Sequence, residues 1–357
     1  MKIKSVIASI IILLSLASWI YPFTANADQK VVYVVPIEET VEKGLLAFLE
    51  RAVEEAEEAG AEAIIFDVNT PGGAVDAAGG IGKLLTGTDL KTVAFVNKQA
   101  LSAGAYISLN TDEIYMVPGS TMGSAAIIDQ QGNTAGKKAE SYWFAAMKAA
   151  AVESGRDPIY AQAMADDSID LPELGAGKGE LLTLTAEQAL EVGYSEGTVK
   201  NLDELLQKLG YEDAEIRNVN ETFAEKLARF ITHPVVIPIL MTIGSLGLVL
   251  ELYSPGFGLP GIAGLSALLL FFYGHMVAGL AGFETLILFA LGVGLILLEL
   301  FIPGGIAGII GLLAIIASFF MASDNVVHMG ISLLIALTAS IVLSILMIRV
   351  FGKKMKF

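Results

Sequence analysis

A short apolar run that begins at Ala63 ends in the sequence Asp67-Val68-Asn69-Thr70-Pro71-Gly72-Gly73. The apolar part predicts a strand over residues 63–68, and the residues from Asn69 to Gly73 predict a turn at its end. In the next unit, Thr92 to Val96 predicts a strand and Ser102 to Leu109 predicts the beginning of a helix. Parallel strands need long crossover connections, which are usually helices. The alternation therefore predicts a layered α/β fold whose strands run largely parallel.

The same alternation continues on both sides of this segment, so residues 28–230 are predicted to form one α/β domain. Thr185 begins a capped helix that ends at Gly193. The other predicted elements are strands at 31–36 and 114–117 and helices at 41–59, 75–85, 139–154 and 157–167.

Residues 1–27 have the three parts of a secretory signal peptide. Lys2 and Lys4 form the charged start, Val6 to Leu16 form the apolar run, and Ala25-Asn26-Ala27 is a cleavage site. The alternative is an uncleaved anchor helix. In both cases the α/β domain is expected on the extracytoplasmic face.

The sequence becomes strongly apolar from Val235 onward. Each of its segments approaches the roughly 20 residues that cross a bilayer. Residues 231–352 are therefore predicted to form a membrane domain of about five transmembrane helices, with four to six as the range. The short basic tail, residues 353–357, is expected in the cytoplasm by the positive-inside rule. The apolar segments lie at about 235–253, 261–280, 285–302, 305–322 and 327–350.

A short internal repeat occurs within the membrane domain. Glu251, followed by Pro255-Gly256, resembles Glu299, followed by Pro303-Gly304, 48 residues on. The repeat indicates two copies of a helix-turn-helix unit. The two acids are interpreted as caps of helix ends, with a functional role as the alternative.

Charge and residue types restrict the chemistry of the α/β domain. Residues 28–233 carry 34 acidic against 16 basic side chains, a net charge of −18, which disfavours nucleic acid and anionic lipid as partners. The chain has no Cys, and His233 is the only His of this segment. A thiol nucleophile is excluded, and a Ser-His-Asp triad is nearly so. No metal site and no cofactor site is predicted, because the acidic run near Asp166 is interpreted as a solvated loop.

Ser102 is the candidate nucleophile. It follows a predicted strand, has small neighbours, and stands at a predicted helix N-terminus, where N–H groups favour negative charge. A serine in this position is more often a simple helix cap. The Pro71-Gly72-Gly73 turn strengthens the catalytic interpretation, because it is expected at the end of the adjacent strand and glycine lets a substrate approach.

The base for a serine in this domain is predicted to be a lysine, because burial can keep a lysine amine neutral. Lys137 and Lys138 lie in a predicted loop from Gly132 to Ala139, which is expected to fold back over Ser102. Lys83 and Lys98 are further candidates, although Lys98 is too close in sequence to face Ser102 easily.

As a set, several motifs resemble the NfeD-type membrane-bound serine proteases, which are similar to ClpP and to signal peptide peptidase A. The resemblance covers essentially the whole chain. The motifs that carry it are residues 67–73 and 100–107, Pro118-Gly119-Ser120-Thr121-Met122-Gly123, Lys138 ahead of Tyr142-Trp143, Glu153-Ser154-Gly155-Arg156, and Leu184-Thr185-Ala186-Glu187-Gln188-Ala189.

The resemblance implies a ClpP/crotonase-like α/β domain followed by an all-α membrane domain, and a Ser-Lys dyad. Ser102 matches the nucleophile, and Lys138 matches the general base better than Lys137. The oxyanion donors are expected to be the N–H groups of Gly73 and Ala103, and the substrate is expected to lie along Gly72 and Gly73. Longer members carry a β-barrel of the OB type after the spans, and this module is expected to be absent or truncated here.

The function implied is that of a membrane-anchored serine endopeptidase. Its expected substrates are apolar segments of stomatin- or flotillin-like membrane proteins, and a homo-oligomer is expected because ClpP-like domains generally assemble. The alternative is a membrane scaffold for such a partner with weak or no peptidase activity. Acyl-CoA chemistry on the related crotonase fold is disfavoured, because an outward-facing acidic domain would repel the phosphates of that cofactor.

Overall fold

The computed structural model describes residues 30–128, 135–252, 258–299, 301–302, 304–323 and 325–351. The predicted signal peptide and the basic tail lie outside these residues. The described chain forms an α/β domain followed by a helical region, as the sequence predicted.

The α/β domain is built on one sheet of eight strands in the described residues. The strand order is β6-β5-β3-β2-β1-β8, and β4 pairs with both β3 and β7. All pairs are parallel except β5 with β6. The strands are β1 Val31–Val41, β2 Ala63–Gly73, β3 Lys91–Leu101, β4 Glu113–Met116, β5 Thr121–Gly123, β6 Thr183–Thr185, β7 Gly197–Thr198 and β8 Glu215–Asn218.

Eight α-helices of the described residues accompany the sheet. Six of them were predicted, with bounds within two residues of the observed ones, and the helices at 202–209 and 223–231 were not predicted. Thr185 and Gln188 form the reciprocal cap that the sequence predicted for its helix. The helices are α1 Lys43–Glu58, α2 Val75–Gly87, α3 Ala103–Leu109, α4 Lys137–Glu153, α5 Pro158–Ala165, α6 Ala186–Glu191, α7 Leu202–Leu209 and α8 Phe223–Ile231.

The first three strands are longer than predicted. The predicted turn at Asn69 to Gly73 is wrong, because β2 continues through Gly73 and pairs with β1 as far as Val41. Both strand pairs of β2 contain a bulge in this extension, and Thr70 pairs with Ala100 of β3 beyond the second one. Bulges absorb extra residues without ending the ladder, so the Pro-Gly sequence remains part of the strand.

Side chains from the two faces of the sheet form two cores. Alternate residues of a strand point to opposite faces, so Ile64 and Phe66 join the larger core while Ile65 joins the smaller one. The larger core is covered by α1 and α2 and also contains Trp143 and Ala103. Ala103, which follows the candidate nucleophile Ser102, therefore belongs to the larger core.

In the part of the chain that the structure describes, five apolar helices follow the α/β domain, where the sequence predicted apolar segments. They are α9 Val236–Leu252, α10 Leu259–Val277, α11 Phe283–Glu299, α12 Ile306–Met321 and α13 Val326–Phe351.

Among the described residues, two helices are long and apolar enough to cross a membrane, Leu259–Val277 and Val326–Leu346. A third crossing is possible if α8 and α9, which meet at a bend of 81°, count as one broken span. The predicted total of about five crossings remains a prediction.

The two acids of the internal repeat cap helix N-termini. Glu251 accepts the N–H groups of Gly258 and Gly261 at 2.8 and 2.9 Å. Glu299 accepts those of three glycines at the start of α12, namely Gly304, Gly305 and Gly308. A carboxylate that binds several helical N–H groups satisfies donors that the helix itself cannot. The capping interpretation is confirmed.

Candidate active site

Ser102 lies at the junction of β3 and α3 in a backbone conformation that is rare for residues with a side chain. Its φ is 53° and its ψ is −119°. Its N–H donates to the carbonyl of Gly123 at 2.9 Å, and its own carbonyl accepts the N–H of Ala105 at 3.0 Å. Such strained positions are concentrated at functional sites, where the surroundings hold them in place.

The side chain of Ser102 does not cap α3. No N–H group of the helix donates to it, so the helix-cap interpretation is excluded in the described structure. The residue is partly exposed, while Ala103 is buried at 1% exposure. The Ser102 hydroxyl is therefore accessible at the start of α3 and is not used to cap the helix.

Gly72 places the backbone of β2 directly against Ser102. Its φ is 103°, a value that favours glycine, and a Cβ added to it would collide with the Cβ of Ser102 and lie 2.9 Å from its Oγ. Gly73 is equally restricted, because a Cβ there would collide with the backbone of Val41 in β1. The two glycines allow a backbone approach that no other residue permits.

Three of the predicted site residues line one small cavity. It is lined by Gly73, Ser102 and Ala103 and by side chains from the segments that flank them, namely Val75, Ala126, Ile127, Ile128 and Trp143. Its volume of about 50 Å³ is far below the roughly 300–1,000 Å³ of ligand clefts. The cavity is therefore too small to enclose a ligand of ordinary size.

The N–H of Ala103, which the family resemblance implies to be an oxyanion donor, has no acceptor among the described residues outside regular elements. Ala103 is the first residue of α3, where an N–H has no partner within the helix. Gly73 lines the same cavity on the opposite strand. Two backbone positions therefore face the space beside Ser102.

Trp143 is a site residue that sequence reasoning did not assign a role. It is 2% exposed, and its indole Nε1 donates to the carbonyl of Ala125 at 2.6 Å. Its ring lies 4.9 Å from that of Tyr106 on α3. Trp143 thus ties segment 125–128, one wall of the cavity, to the helix that follows Ser102. A tryptophan beside the candidate lysines was the available signal.

The predicted burial of Lys138 is wrong for the described structure. Lys137 and Lys138 are both exposed and form the first turn of α4, because the helix begins at 137 and not after a loop that ends at Ala139. The cavity lining contains neither of them. Lys83 and Lys98, the other candidates, are exposed as well. Ser102, Gly73 and Ala103, the predicted nucleophile and oxyanion positions, line one cavity, and none of the candidate lysines lines it.

Asp67 of β2 is the perturbed carboxyl nearest to this region in sequence. Burial raises its pKa, while a hydrogen bond from Asn97 and the nearby charge of Lys98 act in the opposite direction. Its Oδ1 has no hydrogen-bond partner. Among the described residues, no group of three or more His, Cys, Asp or Glu side chains could hold a metal ion.

Family models match most of the chain. The N-terminal domain of NfeD1b matches residues 31–219, and the NfeD integral membrane domain matches residues 235–349. The membrane protein NfeD1b of Bacillus subtilis is 56% identical over 333 residues, which cover 93% of this chain and 76% of that protein. The membrane-bound protease PH1510 of Pyrococcus horikoshii is 29% identical over 291 residues, 75% of this chain and 62% of that protease.

A solved structure resembles the α/β domain. It is a lysine-to-alanine mutant of the 1510-N membrane-bound stomatin-specific protease in complex with a substrate peptide. The identity is 28%, the match covers 57% of this chain and 99% of that one, and the TM-score is 0.51. The predicted fold class, an α/β domain followed by a helical membrane domain, is confirmed. The matches to two NfeD domains, together with the 56% identity to NfeD1b, show that this protein belongs to the NfeD family of membrane proteins.

Proposed function

We propose that this NfeD-family protein is a membrane-anchored serine endopeptidase with Ser102 as its nucleophile. The observation that carries the proposal is the strained, uncapped Ser102 held against Gly72, with the N–H of Ala103 unpaired beside it. Acyl transfer requires a nucleophile and donors for the developing oxyanion, and both are present at one place in the fold.

The reaction has two steps. Ser102 Oγ attacks the peptide carbonyl, and its proton passes to the neutral amine of Lys138, which then protonates the leaving amine. The N–H groups of Gly73 and Ala103 bind the oxyanion of each tetrahedral intermediate. A water that gives its proton to Lys138 then attacks the acyl-enzyme and releases the second product.

Lys138 has to approach Ser102 when substrate binds, because it is exposed in the described structure. A base acts within about 2.6–3.2 Å of the proton it removes, and such contacts are often formed only in the substrate complex. Lys138 lies in the first turn of α4, and terminal turns of helices rearrange at low cost. Burial in the complex would also favour the neutral amine. Lys137 is the neighbouring alternative.

The substrate is proposed to be an extended, apolar segment of a stomatin- or flotillin-like membrane protein. The relative with the bound substrate peptide is described as stomatin-specific. The cavity wall beside Ser102 is apolar, with Val75, Ile127 and Trp143. A peptide that adds as a strand beside Gly72 and Gly73 would gain backbone hydrogen bonds. We also propose an extracytoplasmic α/β domain, a cytoplasmic C-terminus and a homo-oligomer.

The test is labelling of the detergent-purified full chain with a serine-reactive fluorophosphonate probe from pH 6 to 10. We expect labelling that rises with pH, disappears in Ser102→Ala and falls about 10²–10⁴-fold in Lys138→Ala, the contribution of a general base. Lys148→Ala, an exposed lysine on the same helix, is the matched control and should label normally. A Lys137→Ala variant that alone loses labelling would assign the base to Lys137.

A scaffold for a stomatin- or flotillin-like partner is the second candidate. The observation that favours it is the set of five apolar helices, since a single span would anchor a protease. This candidate predicts that Ser102→Ala keeps both partner binding and cellular function. Folded wild-type protein without probe labelling at any pH, together with retained partner capture, would favour the scaffold.

A further inference from the structure

The helix that connects the α/β domain to the membrane domain is hydrogen-bonded to β1, the strand that pairs with β2. This helix, α8, is held to α1 by the pair Arg51 to Glu225, at 2.7 and 3.0 Å. At its other end Ile231 packs on α10, where a Cβ added to Gly274 would lie 2.5 Å from the Ile231 Cγ2. Both domains therefore contact α8 directly.

Arg229 of α8 reaches the end of β1. Its guanidinium donates to the carbonyls of Glu38 and Thr40 at 3.4 and 3.0 Å and pairs with Glu42 and Glu221 at 2.7 and 2.6 Å. Its side chain is only 13% exposed. A planar guanidinium can serve several acceptors at once, which an ammonium cannot do in this geometry.

The two carbonyls that Arg229 binds flank Glu39, the residue at the bulge of β1. Glu39 has a φ of 61°, and the register between β1 and β2 shifts at this position. The carbonyl of Glu39 accepts the hydroxyl of Thr70 at 2.5 Å. Arg229 thus holds the backbone on both sides of the group to which Thr70 donates.

Thr70 carries the connection to the active site. It is fully buried, and its Oγ1 also accepts the N–H of Gly72 at 3.1 Å. Its methyl group packs on α3, where a Cβ added to Gly104 would lie 2.6 Å from the Thr70 Cγ2. Gly72 in turn lies against the side chain of Ser102. The hydroxyl therefore has both its donor and its acceptor satisfied between β1 and the glycine beside the nucleophile.

We propose that Thr70 and Arg229 are positioning residues, and that they fix the backbone of Gly72 and Gly73 according to the position of the membrane-proximal helix α8. The chain of contacts runs from Arg229 through the Glu39 bulge and Thr70 to Gly72 and Ser102. A shift of the membrane helices that moves α8 would move the oxyanion side of the site. The catalytic part of this inference rests on the proposed function, with Ser102 as the reactive group.

The test combines a conformational and a chemical readout on the full chain in detergent. Amide hydrogen exchange, followed by mass spectrometry, compares wild type with Thr70→Val, Thr70→Ser and Arg229→Met. Arg217→Met is the matched control, because Arg217 is partly exposed and contacts Glu215 of β8 and Tyr33 near the start of β1, away from the bulge at Glu39. The rate of labelling by the fluorophosphonate probe is measured on the same samples.

We expect faster exchange at residues 38–42 and 70–74 in Thr70→Val and Arg229→Met, with the rest of the α/β domain unchanged. Probe labelling should fall on the order of 100-fold in these two variants, since a displacement of about 1 Å at a reactive centre has this effect. Thr70→Ser, which keeps the hydroxyl, should regain most of the rate.

Three results separate the possible failures. Faster exchange throughout the domain would assign Thr70 and Arg229 a general structural role and overturn the inference. Unchanged exchange at 70–74 in Arg229→Met would also overturn it, because the connection from α8 would be absent. The expected local exchange in a protein that the probe never labels would retain the mechanical connection while rejecting Ser102 as a reactive serine.

Discussion

The surroundings of Ser102 and of Lys138, the two proposed dyad residues, are organised differently. Ser102 lies between the backbone of Gly72 and the buried Ala103, and its N–H donates to the carbonyl of Gly123. Lys138 is exposed in the first turn of a helix and forms no hydrogen bond or ion pair with the described residues.

This difference indicates which half of the proposed chemistry is prepared by the fold itself. Oxyanion stabilisation works through donors that are already in place before the reaction, and this half is built from strands and tight glycine contacts. Proton transfer needs a neutral amine at short range, which an exposed lysine does not supply. The substrate complex has to complete the second half.

The largest loss of probe labelling is expected from a methyl group added to the backbone beside Ser102. Gly72→Ala adds a Cβ that collides with Ser102 at a positive φ. We expect probe labelling to fall at least about 100-fold, because the reactive geometry moves by an ångström or more. Gly136→Ala is the control on the lysine side, where a Cβ meets open space. Equal labelling of the two variants would show that the serine side is not preorganised.

The second effect tests segment 125–128, the wall of the cavity that Trp143 of α4 binds. Trp143→Phe removes the N–H that binds the carbonyl of Ala125 but keeps an aromatic ring in the core. We expect a loss of about 1–3 kcal/mol in the free energy of unfolding, because a buried carbonyl loses its partner, measured by denaturant unfolding in detergent. Tyr142→Phe, at an exposed neighbour, should change stability by less than about 0.5 kcal/mol. A silent Trp143→Phe would mean that segment 125–128 is held by other contacts.

A third measurement asks whether the exposed lysine moves. An amine-reactive reagent should modify Lys138 readily in the free protein, as it does Lys148. After a peptidyl phosphonate has reacted with Ser102, we expect Lys138 to react more slowly while Lys148 is unchanged, as judged by peptide mass spectrometry. The physical reason is burial of the amine beside the adduct. Unchanged modification of Lys138 would remove it from the proposed mechanism.

The smallest effect concerns Asp67, on the strand that leads to the serine side. Its pKa is raised by burial, so the folded state binds its proton more tightly than the unfolded state does. The stability contributed in this way is present below the unfolded pKa and is lost as pH rises through the folded one. Asp67→Asn should therefore stabilise the protein at pH 7, by under about 1 kcal/mol after solvent screening, and less at pH 4. Greater stabilisation at pH 4 than at pH 7 would contradict this assignment of the shift.

Much of the α/β domain could be predicted because its information is local. The apolar run at 63–68 and the alternation with amphipathic helices predict strands, helices and a parallel sheet without any knowledge of contacts. The extension of β2 through Pro71 and Gly72 was missed for the same reason. A Pro-Gly-Gly sequence locally favours a turn, and pairing with β1 and β3 on both sides overrides that preference.

The site residues also divide into those that a local pattern predicts and those that depend on tertiary contacts. Ser102 was predicted from small residues at the end of a strand, and the family resemblance implied Gly73 and Ala103 as oxyanion donors. The fold brings all three to one cavity. Trp143 was missed, because its contact with Ala125 spans a connection whose path no local pattern records. The exposure of Lys138 could not be predicted either, since the start of α4 depends on its tertiary packing.

Residue types and spacing alone predicted the α/β domain and the five apolar segments and supplied the family motifs. They also excluded a cysteine nucleophile and left only His233 as a histidine in residues 28–233. These features depend on residue type and on spacing along the chain. Only the tertiary structure decided that Ser102 is uncapped, that Gly72 lies against it, and that Thr70 connects it to Arg229 of the helix next to the membrane. Those contacts join residues up to 191 positions apart, and their geometry is set by the packing of strands and helices that no local sequence pattern encodes.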